Sequence, residues 1–371
     1  MHGVRRPLRA PSAAQKLAKA AAEQERLRSY LALEEAFFAL KKGGTHTHEA
    51  LETCGKLLAQ NPELYTAWNF RRSVLGALFA AGAREEQRAL LLDELQLTRA
   101  ALTAHPKVYW IWNHRAWCVG QLAGTEQEEG VAEGDAGAWA QELRLVDEML
   151  RRDGRNFHGW NHRRFVLSQT PPLASTSSSS SPQASFPHSL LAPEHLSPGA
   201  LEAHLARAAA ELAYTLRHIE RDFSNFSAWH QRAVVLPCYW HGKGFGAEER
   251  ERERDVEFDL IKQAMYTDPE DESIWRYHAW LVELAPSAAV LEREIALIDE
   301  LLELEPASKW CMQALATYSE QLASLLASAD EEQSAAAAQH SARAQALLQR
   351  LASVDPDRAA RYREQAAVSG Q

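Results

Sequence analysis

The stretch GRNFHGWNHRRFVL, residues 154–167, sets His158, His162 and a group of arginines around Trp160. Imidazoles and guanidiniums so close together suit either a metal or a phosphate. Four related stretches carry the same pattern: ELYTAWNFRRSVL (63–75), KVYWIWNHRAWCV (107–119), SNFSAWHQRAVVL (224–236) and EDESIWRYHAWLV (270–282). A worn sixth copy, ASKWCMQAL (307–315), follows. A repeated pattern needs an architectural explanation before any one copy is treated as a site.

Within a copy, arginine stands three residues after the tryptophan, as in Trp68/Arg71, Trp112/Arg115, Trp160/Arg163 and Trp229/Arg232. That spacing puts both on one helical face. Four copies of the same arginine favour helix-to-helix ion pairing or carbonyl capping over phosphate binding. Trp68, Trp112, Trp160, Trp229 and Trp275 are the expected repeat core, each large enough to join one helix pair to the next. His114 and His162 recur two residues past the tryptophan, and on the reading that no carboxylate or cysteine stands at ligand spacing beside them, no metal is expected on this chain.

Positions that break the repeat are more informative. Five residues before the tryptophan stand Glu63, Lys107, Arg155, Ser224 and Glu270, basic only in the second and third copies. Three before it, Tyr65, Tyr109, Phe157 and Phe226 keep an aromatic, and two before it only the third copy has a histidine, His158. All of these fall where the second helix of a pair begins, and unsatisfied N–H groups there favour an anion. Packed neighbouring helices bring equivalent positions together. Lys107, Tyr109, Arg155 and His158 therefore suit one bound diphosphate, or else form a basic rim that meets an acidic partner.

The elements that must hold these residues are helical hairpins. Asn61-Pro62, His105-Pro106, Asp268-Pro269, Glu305-Pro306 and Asp355-Pro356 punctuate the chain at matching places, ending one helix and able to open the next at its first turn. Trp139, Leu143, Val146 and Leu150 recur at steps of three and four, an amphipathic stripe. The reading is all-α: a disordered tail at 1–11, then one repeat domain over 12–370 that opens with a long helix at 12–41. A disordered Ser/Pro-rich insertion is expected at 171–199. EQEEGVAEGD (126–135) reads as an acidic loop and EERERERDVEF (248–258) as a solvated helix face.

With 371 residues and 46% hydrophobic content the chain can bury a large core, and a formal charge of −10 argues against nucleic-acid binding. Cys54, Cys118, Cys238 and Cys311 are scattered and form no CxxC pair, so they read as reduced core thiols. The absence of a long apolar run predicts a cytoplasmic protein without stable membrane insertion. The C-terminal AAVSGQ has no prenylation cysteine, so no lipid anchor is expected.

Five tryptophan-centred copies reading W-N-x-R or W-x-x-R, preceded by N-F/Y or K-x-Y, resemble the repeats of protein prenyltransferase α subunits from about residue 30 to 320. The opening MHG, GRNFHGWNHRRFV and DPEDESIWRYHAWLV resemble most the Rab geranylgeranyltransferase branch. The α subunit shared by farnesyltransferase and geranylgeranyltransferase type I is the nearest rival. Larger members carry further domains after the repeats, which this chain is expected to do without.

The resemblance implies a right-handed superhelical crescent of tandem antiparallel hairpins wrapped around a β subunit that holds the Zn2+ and the isoprenoid pocket. It implies transfer of geranylgeranyl from geranylgeranyl diphosphate to C-terminal cysteines of Rab GTPases, presented by a Rab escort protein. The family's diphosphate-proximal lysine and tyrosine in K-x-Y-x-x-W match Lys107 and Tyr109, and its N-Y/F-H-x-W histidine matches His158, with Asn156 and Arg155 beside it. His2 in a flexible tail could reach the partner's metal, and an incidental histidine is the simpler reading. A non-catalytic scaffold like tetratricopeptide proteins fits less well, because those repeats run near 34 residues with a different signature.

Overall fold

The computed structural model describes residues 12–128, 137–169, 185–327 and 331–368. The tail at 1–11 with His2, most of the acidic loop and the first part of the insertion, 171–184, lie outside the described residues. Within them, all regular structure is helical.

Two compact units are present. The first holds α1 (Ala13–Lys42), α2 (His48–Gln60), α3 (Tyr65–Ala81), α4 (Arg84–Ala104), α5 (Tyr109–Glu128), α6 (Ala138–Arg152) and α7 (Phe157–Gln169). The second takes in residues 153–155 and then α8 (Pro198–Arg221), α9 (Phe226–Gly242), α10 (Ala247–Thr267), α11 (Glu272–Leu284), α12 (Ala288–Leu304), α13 (Lys309–Leu326), α14 (Glu331–Val354) and α15 (Ala359–Val368). In each unit consecutive helices pair as hairpins, such as α4 with α5, α6 with α7 and α8 with α9.

Local chemistry sets the helix ends. Thr47, Ser197, Asn225, Ser287 and Ser308 cap their helices by accepting a first-turn amide. At the Asn61-Pro62, His105-Pro106 and Asp268-Pro269 breaks the first helix stops where the sequence predicts, but the proline does not open the next helix, which starts three residues later. The proline carbonyl has another use. Trp68 Nε1 donates to Pro62 O at 2.9 Å, Trp112 Nε1 to Pro106 O at 2.9 Å and Trp275 Nε1 to Pro269 O at 2.8 Å, and Trp229 Nε1 reaches Phe223 O at 2.7 Å. Each indole thus ties its helix to the turn before it while its ring is buried.

The expected disorder over 171–199 does not hold from residue 185 onward. Two 3-10 turns, His188–Leu191 and Pro193–His195, follow, and the first lies against α8 and α9. Phe186 and Leu190 are buried, and Ser189 Oγ lies 2.7 Å from His204 Nδ1. Three apolar or hydrogen-bonded anchors within five residues suffice to order a segment that composition alone marks as loop. The solvated reading of 248–258 also fails at three places, since Arg254, Glu257 and Phe258 are buried.

Candidate functional site

Arg71, Arg115 and Arg232 point inward and join successive hairpins. Arg71 donates through Nε to Glu94 at 2.7 Å and through a terminal nitrogen to Leu51 O, while Arg115 clasps Glu142 at 2.7 and 2.8 Å and caps Leu95 O at 2.7 Å. Arg232 repeats the arrangement with Glu257 and Leu212 O, and Arg163 pairs with Asp147. The residue two past the next tryptophan meets the same carboxylate. His114 Nε2 is 2.8 Å from Glu94, His162 Nε2 is 2.6 Å from Glu142, and Tyr277 Oη donates to Glu257 at 2.6 Å. The ring at that position also packs on the preceding tryptophan: Trp68 on His114 at 4.9 Å, Trp112 on His162 at 5.1 Å and Trp229 on Tyr277 at 4.5 Å. A buried chain of tryptophan, arginine, glutamate and histidine or tyrosine therefore links the first repeat to the second and the second to the third in the first unit, and the fourth to the fifth in the second unit.

Burial alone would raise these carboxyls, but the hydrogen bond from His162 and the charge of Arg115 overcome it and hold Glu142 down at about 2. Glu94 is likewise lowered, burial being outweighed by His114 and Arg71. One expectation needs correction here. Cys118 stands one turn after His114, and with Glu94 the three offer buried ligand atoms within 4.8 Å of one another. The donor set does not suit a metal as it stands: Arg71 occupies Glu94, His114 Nε2 is hydrogen-bonded to that carboxylate, and burial pushes the Cys118 thiol far up.

The turns before α5 and α7 carry the residues that break the repeat. Asn156, itself buried, donates from Nδ2 to Pro106 O at 2.9 Å and accepts from the His158 backbone N–H at 3.1 Å. Pro106 O thereby holds both Trp112 and Asn156, which locks one turn to the other. As a result the Tyr109 ring lies 5.9 Å from His158, whose ring rests on Phe157 at 4.0 Å. Tyr109 and Phe157 are half exposed, and Lys107 is exposed in the turn between α4 and α5. His158 is held below the ordinary histidine value, first by burial and then by the Lys107 charge, against the Glu63 carboxylate.

The site thus brings Lys107, Tyr109 and His158 together. Asn156 sits among them as an anchor whose amide is already committed. Arg155 differs from the expectation: its guanidinium makes a two-pronged ion pair with Asp222, at 2.6 and 2.7 Å, within the second unit. Sequence reasoning missed Glu63 and Trp110. Trp110 holds in the second copy the position that His158 holds in the third, and its ring bridges Tyr65 at 5.4 Å and Tyr109 at 5.6 Å. That shared register was the signal available.

Comparison with known proteins is consistent across sequence and fold. A profile described as "Protein prenyltransferase alpha subunit repeat" matches residues 47–78, 91–122, 139–170, 208–239 and 255–285. The chain is 32% identical over 276 residues to "Geranylgeranyl transferase type-2 subunit alpha" of Rattus norvegicus, covering 74% of this chain and 41% of the relative. It is 29% identical to the Candida albicans protein of the same name over 339 residues, 82% of each, and 28% identical to that of Saccharomyces cerevisiae over 76% of this chain and 72% of the relative. The chain therefore spans less than half the length of the mammalian relatives it matches. The solved structure "Candida albicans protein geranylgeranyltransferase-I complexed with GGPP" shares the fold, with a TM-score of 0.60 at 18% identity over 92% of this chain and 91% of that one. By its repeats, its relatives and its fold, this chain belongs to the protein prenyltransferase α-subunit family.

Proposed function

We propose that the chain is the α subunit of a heterodimeric Rab geranylgeranyltransferase, paired with a β subunit and served by an escort protein that presents Rab GTPases in the cytoplasm. Its kinship with type-2 α subunits of mammals and yeasts supports the branch. The repeat register supports one continuous repeat domain over residues 12–370. Among the described residues no helix is long and apolar enough to cross a membrane.

In the reaction a cysteine thiolate of the Rab tail attacks C1 of geranylgeranyl diphosphate. The C–O bond breaks, and inorganic diphosphate departs with the electron pair as the thioether forms. Zinc, expected on the β subunit, lowers the thiol pKa and holds the nucleophile. This chain's own residues act on the leaving group. Charge grows on the diphosphate oxygens, and Lys107 Nζ, Tyr109 Oη and an imidazole N–H of His158 are donors placed to meet it. In the free chain burial and the Lys107 charge hold His158 below the ordinary histidine value, against the Glu63 carboxylate. The observation that carries this reading is the Asn156 bridge to Pro106 O, which sets Tyr109 against His158.

Co-expression with candidate β subunits tests the assignment: a soluble complex with a type-2 β chain that prenylates Rab with its escort protein is the expected result. A complex formed only with a farnesyltransferase-type β chain overturns the branch. In that complex Lys107→Ala slows single-turnover prenyl transfer about 10²- to 10³-fold with little change in diphosphate affinity. An unchanged chemical step removes Lys107 from the mechanism.

A further inference from the structure

The clefts between successive hairpins of the first unit differ in charge. Between α4 and α6, floored by α5, runs a groove of about 570 Å³. Its base is apolar, with Leu95, Leu122 and Leu145 partly or fully buried and Leu92 exposed at one edge. Arg99 on α4 and Arg144 and Arg151 on α6 form its rim, and all three are exposed. The rim carboxylate Glu148 already accepts from Arg99 and from Arg152, at 2.7 Å each. Arg115 and Glu142, deeper in the lining, are buried and paired with each other. Counted as side chains, the rim carries Arg99, Arg144 and Arg151 against the one carboxylate Glu148.

The repeat does not demand this. The cleft near the α2–α3–α4 end, about 420 Å³ and bordered by Leu78 and Leu90, carries Glu86 and Asp93 instead. A cationic groove on a chain of formal charge −10 is a local departure, as Lys107 and His158 are in their own register. Neither of those residues nor Tyr109 lines the groove.

Leucines under an arginine rim suit an occupant with both apolar and acidic side chains. A bare polyphosphate would satisfy the rim and leave the leucines in water. On α6, Gln141, Arg144, Glu148 and Arg151 face the groove at steps of three and four, and the run from residue 138 to 151 is roughly 20 Å long, enough for a helix of about 14 residues. We propose that the α4–α6 groove docks an acidic amphipathic segment of a second protein, its apolar side chains on the leucines and its carboxylates against Arg99, Arg144 and Arg151. This goes beyond the prenyl-transfer reading and does not depend on it.

The test is fluorescence anisotropy of the full chain with a labelled peptide of about 14 residues that has leucine along one helical stripe and glutamate elsewhere. Two control peptides replace the leucines by serine or the glutamates by lysine. Micromolar binding is expected, weakened at least about tenfold in both controls, in Arg144→Glu/Arg151→Glu and in Leu92→Asp, and weakened again as salt rises from about 0.05 to about 0.3 M. All substituted residues are exposed, so far-UV circular dichroism and melting temperature are expected to match the parent protein. Equal binding of the three peptides, or unchanged binding by the arginine variant, overturns the proposal. Displacement by inositol hexakisphosphate together with undiminished binding of the serine peptide also overturns it, in favour of a small-polyanion site. Prenyl transfer by the Arg144→Glu/Arg151→Glu complex stays at the parent rate, which separates failure here from failure of the catalytic reading.

Discussion

Glu63 and Lys107 act on His158 with opposite sign, and that balance is open to measurement. Lys107 depresses the imidazole and Glu63 raises it. Removing the cation with Lys107→Ala moves the His158 titration upward, and Glu63→Gln moves it further down; histidine-selective NMR against pH reads both. Opposite or absent shifts would mean that the turns before α3, α5 and α7 do not share one electrostatic site. Arg115 is a residue of another kind. It is buried and spends its donors on Glu142, Leu95 O and Thr98 Oγ1. Arg115→Ala strands a buried carboxylate, at a cost of about 3–5 kcal/mol in urea unfolding. Adding Glu142→Gln recovers part of that loss, because the two changes share one interaction.

At the level of elements, one glycine decides whether the 3-10 segment can sit on its hairpin. A Cβ on Gly242, the last residue of α9, would lie 2.8 Å from Leu190 Cδ2 and 3.2 Å from Leu205 Cδ2. Leu190 is wholly buried and has little room to retreat. Gly242→Ala is therefore expected to cost about 1–3 kcal/mol of overpacking and to speed amide exchange in residues 185–196, with α4 to α7 unaffected. Uniform destabilisation without local exchange would show that the segment is not held by this contact. The cap between Ser189 and His204 belongs to the same element, and burial together with Arg207 holds His204 at about 4.

Across the whole molecule, buried acids paired with arginine or histidine govern the response to acid. Glu94, Glu142 and Glu294 all titrate below their ordinary value in the folded chain. A folded pKa below the unfolded one means that the unfolded state binds more protons as pH falls, so stability is complete above the unfolded value near 4.5 and drains as pH drops through the folded one. Chemical unfolding at stepwise lower pH is expected to show a steep loss below about pH 4.5, set by these carboxyls. In Glu142→Gln that slope is shallower while stability at pH 7 is lower. An unchanged slope would shift the acid sensitivity to surface groups.

Sequence by itself determined the helical hairpins, the repeat register and the turns. The reason is that their causes are local: a proline in the turns before Trp68, Trp112 and Trp275, an indole six residues beyond the carbonyl it binds, and in four copies an arginine three residues after the indole. Lys107, Tyr109 and His158 were legible for the same reason, as departures from a register that neighbouring copies define. Only the tertiary structure decided where the charges go. Glu94, Glu142 and Glu257 look in sequence like any glutamate on a helix, yet each is the buried partner of an arginine 23 to 27 residues away. Asp222 takes Arg155 across 67 residues, and Leu190 finds its seat beside Gly242. Pairings of that range are fixed by how hairpins stack, and the helical period does not encode them.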